Sequence, residues 1–279
     1  MVIKIGLRDL PPLFFAGSRM LLASAILLPF AWRAGLRLQR RDDLGRMALI
    51  GLLQIGIPYA LLFAAQQWLP SALTAVLFAT FPVWLLLVAR LLLPRQELTA
   101  RKLLACALGI AGILVLQFPA LRAQDTLSPL APLGGALVIV SAIVAAFANV
   151  FVRKELGSHA PIVITFVQVF AGALFLSAFS LLLERGRPVA FTLPAMAVLG
   201  YLAVFGTAVT YLCLFWLIPR VPMAAIGAIP LVDTTVAVTL GALVLRERIG
   251  WPLLAGGALV LSAVVLANQV PAEPALESP

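Results

Sequence analysis

A polytopic all-α membrane protein is the fold class this sequence predicts, and three observations predict it. Apolar residues make up 63% of the 279 and charged residues only 11%, with a mean hydropathy of +1.10. A soluble domain holds about 45–50% apolar and ~25% charged residues. Apolar runs of the ~20 residues needed to cross the hydrocarbon of a bilayer recur from end to end. The chain also duplicates itself, with apolar runs, prolines and aromatics returning in the same order.

The spans read, in order, at about 13–32, 46–67, 71–93, 101–118, 130–152, 161–183, 192–217, 222–245 and 251–269. Each is helical, because barrel strands are shorter and alternate with a period of two. The linkers are brief, and several are marked by proline: Pro70, Pro119, Pro129 with Pro132, Pro161, Pro219 with Pro222. Residues 270–279, "VPAEPALESP", read as a disordered tail. No loop is long enough to house an aqueous domain, so function is expected within the membrane. The net charge of +9 follows from Lys and Arg gathering in cytoplasmic loops, and gives no reason to expect nucleic acid. Cys106 and Cys213 fall inside apolar runs and read as small buried hydrophobes.

The duplication is specific in its register. Pro70 with Pro222, Tyr59 with Tyr211 and Phe63 with Phe215 are all separated by 152. Past Glu97 the offset becomes 151, and "LTARKLLACALGIAGILVL" tracks "IGWPLLAGGALVLSAVVL". Upstream it is 149, matching Pro12 with Pro161 and Arg19 with Gln168. The opening "MVIKIGLRDLPPLFF" then corresponds to "VFVRKELGSHAPIVI", which has an apolar helix of some twenty residues ahead of it, Leu130 to Val150. Five helices per copy are thus expected, with the first largely missing from this chain. A late start or a truncation explains that, and a nine-helix variant is the alternative. An odd number of helices inverts the second copy relative to the first. The expected domains are a first repeat over 1–119 and a second over 130–269. Twelve Lys and Arg on the side of the loop after span 13–32, against six on the other, place that side in the cytoplasm. Both termini of a full-length protein then lie inside, with the 270–279 tail cytoplasmic.

"PPLFFAGSRMLLASAILLP", "LPSALTAVLFATFPVW", "LLLPRQELTARKLLACALGIAGILVL", "VIVSAIVAAFANVFVRKEL", "TYLCLFWLIPRVP" and "LVLRERIGWPLLAGGALVL", in this order and duplicated, resemble the drug/metabolite transporter superfamily. Within it the chain is similar to the ten-helix EamA-type exporters. The resemblance covers all but the ends of the chain. It implies two inverted five-helix domains around a central cavity and export of small metabolites, often amino acids, across the inner membrane. Where that family often carries Leu-Glu-Pro in its ninth helix, this chain has Leu231-Val232-Asp233-Thr234. The acid survives there and the proline does not.

Read for chemistry, the residues offer no catalytic set. The single His159 sits beside a proline in a loop and reads as solvated, so neither a zinc site nor a Ser-His-Asp triad is expected. No metal or cofactor is called for, and the partners are a small-molecule substrate and the lipid bilayer. The oligomeric state is left open, with a monomer compatible. Asp233 stands out, because an acid inside a span costs ~2.5–3.5 kcal/mol and marks a functional site by default. It is the candidate for ion coupling, against a structural carboxylate bonded to amides loosened by Pro230. Thr207, Thr210 and Tyr211 have the spacing of one helical face. With Tyr59, Asn149 and Gln54 they are the candidate substrate-binding residues. Ser141, Ala145 and Asn149 form a second narrow polar face. Arg19 lies about two turns inside its helix, where snorkelling or packing is the simpler role and a carboxylate contact the other. Pro58, Pro82 and Pro230 interrupt their helices. Two rivals to the exporter are a proton-coupled pump for hydrophobic drugs and, less favoured, a membrane-embedded lipid-modifying enzyme.

Overall fold

The computed structural model describes residues 9–93, 96–122, 128–244 and 251–269, without the side chains of 241–244. The expected first-helix stub and the 270–279 tail lie outside the described residues. Nine helices among the described residues are long and apolar enough to cross a membrane. They are α1 (Pro12–Arg33), α2 (Arg41–Ala65), α3 (Ser71–Leu92), α4 (Ala100–Arg122), α5 (Ala131–Glu155), α6 (Pro161–Leu183), α7 (Leu193–Leu217), α8 (Met223–Val244) and α9 (Trp251–Asn268). Each overlaps one of the nine spans read from the sequence, so the all-α polytopic class holds. Helix is the only local structure open to single apolar segments in lipid, because it alone satisfies every backbone N–H and C=O within the segment.

The helices gather into two compact units, and compactness divides the chain differently from the duplication. Unit one takes the chain through Phe63 together with Phe151–Pro219; unit two takes Ala64–Val150 and the segment from Arg220. Each unit therefore draws helices from both copies.

In unit one α1 packs along α6, its counterpart in the duplication, and the two run antiparallel. The N–H groups of Leu13 and Phe14, orphaned at the start of α1, donate to the Glu184 carboxylate at 2.9 and 2.8 Å. One turn further in, a Cβ on Gly17 would stand 2.7 Å from Ser177 Oγ. Ser180 Oγ also donates to Glu184 at 2.8 Å, and Thr192 Oγ1 donates to the Asp9 carboxylate. A carboxylate on a helix N-terminus satisfies orphan donors and opposes the helix dipole. Glu184→Ala is expected to lower stability by about 1–2 kcal/mol, read as a fall in the melting temperature of the purified protein. Glu184→Gln should recover part of it.

In unit two α4 packs along α9, again its counterpart and again antiparallel. A Cβ on Gly109 would reach Ala263 at 3.7 Å, and one on Gly112 would reach Val260 at 2.7 Å. The offset of 151 carries Gly109 onto Val260 and Gly112 onto Ala263. Each contact is thus the image of the other under the duplication. Close approach without hydrophobic driving force is how helices associate in lipid, and small residues permit it.

The three span prolines behave differently. Pro230 sits inside an unbroken α8. Pro82 follows a true break, since one α-helix ends at Phe78 and the next begins at Phe81. There Thr80 Oγ1 donates to Leu77 O and accepts from Trp84 Nε1. Pro58 follows a π-helical turn at Leu52–Gly56 inside α2. A second π turn, Val204–Val209, interrupts α7 at the duplicated position. Pro58 has no N–H to give the carbonyl four residues back, so the turn widens. At the matching position Thr210 donates its hydroxyl to Phe205 O at 2.7 Å, five residues back. The same widened turn is built by different chemistry in each copy.

Candidate functional site

The two π turns point polar residues into unit one. Gln54 lies within the first and Thr207 within the second, and Tyr59 and Tyr211 follow at the same distance from the starts of their π turns, Leu52 and Val204. Tyr211 is buried and lies side chain to side chain with Tyr59, its duplicate.

Arg19 joins this pair. One Nη donates to the Tyr59 hydroxyl at 3.3 Å, and the guanidinium lies 5.7 Å from the Tyr59 ring centre. Only 6% of Arg19 is exposed, so of its two simpler roles snorkelling is excluded and packing between helices stands. Its Nε has no hydrogen-bond partner among the described residues. The signal that would have found it is its match to Gln168, a polar residue at the duplicated place in α6. Gln168 is fully buried, and both ends of its amide are without partners among the described residues. Gly51 holds α2 against it, since a Cβ there would stand 2.6 Å from Gln168 Cα. Gln54 Oε1 and the fully buried Thr207 hydroxyl are likewise without partners. In a buried setting each such atom costs ~1–3 kcal/mol unless water or solute meets it.

Thr210 does not join this set. The π turn adds a residue between it and Thr207, which rotates Thr210 to the exposed side while Thr207 and Tyr211 stay buried. The single face read from an i, i+3, i+4 spacing assumed a regular α-helix.

Asn149 and Asp233 belong to unit two. Asn149 is buried, gives its Nδ2 to Ala145 O at 2.8 Å, and leaves Oδ1 without a partner. Asp233 is exposed on α8, and its carboxyl makes no hydrogen bond among the described residues. The structural carboxylate bonded to backbone near Pro230 is therefore not what is found. The neighbouring hydroxyls of Thr234 and Thr235 are committed to Pro230 O and Leu231 O in their own helix. Cys106 is buried as expected, whereas Cys213 is exposed. His159 is half-buried in the turn after α5, and its Nδ1 is enclosed rather than solvated.

The EamA-like transporter family model matches residues 1–118 and again 132–269. The chain belongs to the EamA-like transporter family. Among its relatives is the "uncharacterized inner membrane transporter YedA" of Escherichia coli K12, 31% identical over 95% of this chain and 84% of that one. Protein PecM of Dickeya dadantii is 27% identical over 93% of this chain and 84% of its own length. The transporter YoaV of Bacillus subtilis is 24% identical over 94% and 89%. A crystal structure superposes with a TM-score of 0.80 at 16% identity, covering 95% of this chain and 90% of that one, which shows the shared fold. An EamA-family chain with nine apolar helices among its described residues, and with these relatives, is a multi-pass inner-membrane transporter.

Proposed function

We propose that this transporter exports small neutral or zwitterionic metabolites, amino acids and their analogues among them, by alternating access between two inverted five-helix repeats. One observation carries the reading. Unit one buries Arg19, Gln54, Gln168, Thr207 and Tyr211 inside otherwise apolar spans, with the half-buried Tyr59 against Arg19. Polar groups without partners at membrane depth are tolerated where they meet water or a solute. The repeats as domains, 1–119 and 130–269, draw support from the antiparallel packing of α1 on α6 and of α4 on α9. The π turns and the Ala79–Thr80 break are the discontinuities along which such repeats rearrange. Among the described residues no His, Cys, Asp and Glu gather into a metal-holding group beside them, which weighs against the lipid-modifying enzyme.

The test is export. Cells making the protein should survive toxic amino-acid analogues at about tenfold higher concentration and accumulate less of a labelled analogue. Tyr211→Ala should remove most of that tolerance at unchanged membrane abundance, while Tyr211→Phe, which keeps the ring, should retain part of it. A broad panel with no difference in tolerance or accumulation would sink the exporter reading.

Orientation is tested separately. With the loop after α1 cytoplasmic, a cysteine at Gln39 should resist an impermeant maleimide in intact cells. One at Val189, in the loop before α7, should react. The opposite pattern overturns the orientation, and with it the cytoplasmic placement of both termini.

A further inference from the structure

We propose that Arg19, with the Tyr59–Tyr211 phenol pair, is the anchoring subsite for a carboxylate on the transported solute. This rests on the transporter reading above and narrows its substrate class to solutes bearing one anionic oxygen group.

The guanidinium is charged at any physiological pH. It lies about two helical turns from the start of α1 and is almost wholly enclosed. What it touches is neutral: the Tyr59 hydroxyl and the Tyr59 ring. No acidic side chain of unit one is its partner among the described residues. Glu184 is engaged by Leu13, Phe14 and Ser180, and Asp9 by Thr192. Asp42 and Asp43 lie in the first turn of α2, and Glu155 at the end of α5. A buried cation without a counter-charge is strongly unfavourable, so the arrangement is complete only when an anion enters.

The donor set selects the kind of anion. Arginine presents a planar fork that meets the two oxygens of a carboxylate together. The Tyr59 hydroxyl accepts from Arg19, which leaves its own proton to donate. Tyr211 brings a second phenol beside it. One cation balances one negative charge. A phosphate dianion would call for further cations, whereas the other Lys and Arg of unit one's described residues lie in loops or within about a turn and a half of a helix end, short of the depth of Arg19. Tyr59 is only half-buried, so the enclosed Arg19 and Tyr211 are reached from its side.

The test separates the charge from the rest of the solute. Thermal unfolding of the purified full chain is followed at constant ionic strength, with sodium chloride as baseline. The probes are acetate, benzoate and the L-amino acids, each set against its amide, which keeps the shape and loses the anionic oxygen. At least one acid should stabilise the native protein with an apparent affinity about tenfold above its amide. Arg19→Gln should erase that preference, and Arg19→Lys, a point charge without the fork, should keep only part of it. If Arg19→Gln does not fold, Arg19→Lys together with Tyr59→Phe carries the test, and each should narrow the preference about threefold or more. Amides that stabilise the native protein as well as acids, no acid that stabilises it, or a preference untouched by the variants overturns the subsite. Export of amides as readily as acids likewise overturns the subsite and leaves the exporter standing. A carboxylate preference that depends on Arg19, without export of any amino acid, upholds the subsite and overturns the proposed cargo.

Discussion

Valine in place of Gly112 is expected to be the most damaging single substitution in unit two. Its Cβ would stand 2.7 Å from Val260 Cγ2, 2.9 Å from Gly256 O and 3.0 Å from Val260 N. Two of these three are backbone atoms of α9, which cannot rotate aside as a side chain can. Overpacking a tight contact ordinarily costs about 1–3 kcal/mol, and here relief requires α4 and α9 to part. Gly256 faces the same seam from the other side, its Cβ position lying 2.8 Å from Gly112 O. Both Gly112→Val and Gly256→Val should lower the melting temperature in detergent by several degrees or abolish a monodisperse preparation. Gly200→Ala is the control of opposite sign. Nothing lies within 4 Å of its Cβ position, so exchanging a mid-helix glycine for alanine should stabilise by about 0.5–1 kcal/mol. Gly112→Val at wild-type stability would mean that α4 and α9 do not pack through this seam.

The second large effect is expected at Asp233. Its carboxyl is exposed on α8, has no hydrogen-bond partner among the described residues, and lies in a span where an acid is costly. It is the candidate for proton coupling. Asp233→Asn keeps the shape and removes the titration, so uptake driven by a pH gradient into inverted vesicles should be lost, with stability changed by less than about 1 kcal/mol. Exchange of unlabelled for labelled substrate without a gradient should survive. A variant still driven by the gradient removes Asp233 from coupling and the proton-coupled drug pump with it. Loss of folding instead would make the residue structural, against the absence of bonds to its carboxyl.

Much of this architecture was legible because membrane helices announce themselves through length and hydropathy. All nine spans were placed within a few residues, since a segment in hydrocarbon has no alternative to helix and its ends are set by where apolar residues stop. The duplication was legible too, through Tyr59 with Tyr211 and Pro70 with Pro222. From it alone, Gln168 is the partner position of Arg19.

The π turns were not legible. Pro58 suggests a disturbance in α2, but nothing in "VFGTAVT" announces that Thr210 will bond five residues back. That one extra residue decided that Thr207 and Tyr211 are enclosed while Thr210 is exposed. A spacing rule assumes a regular helix and so cannot foresee it. The enclosure of Arg19 was not legible for a related reason. Snorkelling depends on whether a neighbouring helix closes the path to the interface, and only the packing of α1 beside Tyr59 and Tyr211 settles that. The sequence by itself therefore determined the number, length and class of the helices and their pairing between copies. These follow from composition acting on each segment alone. Tertiary structure alone decided which polar residues share an enclosure and which glycines carry a seam, because those depend on distances of a few ångström between segments far apart in the chain.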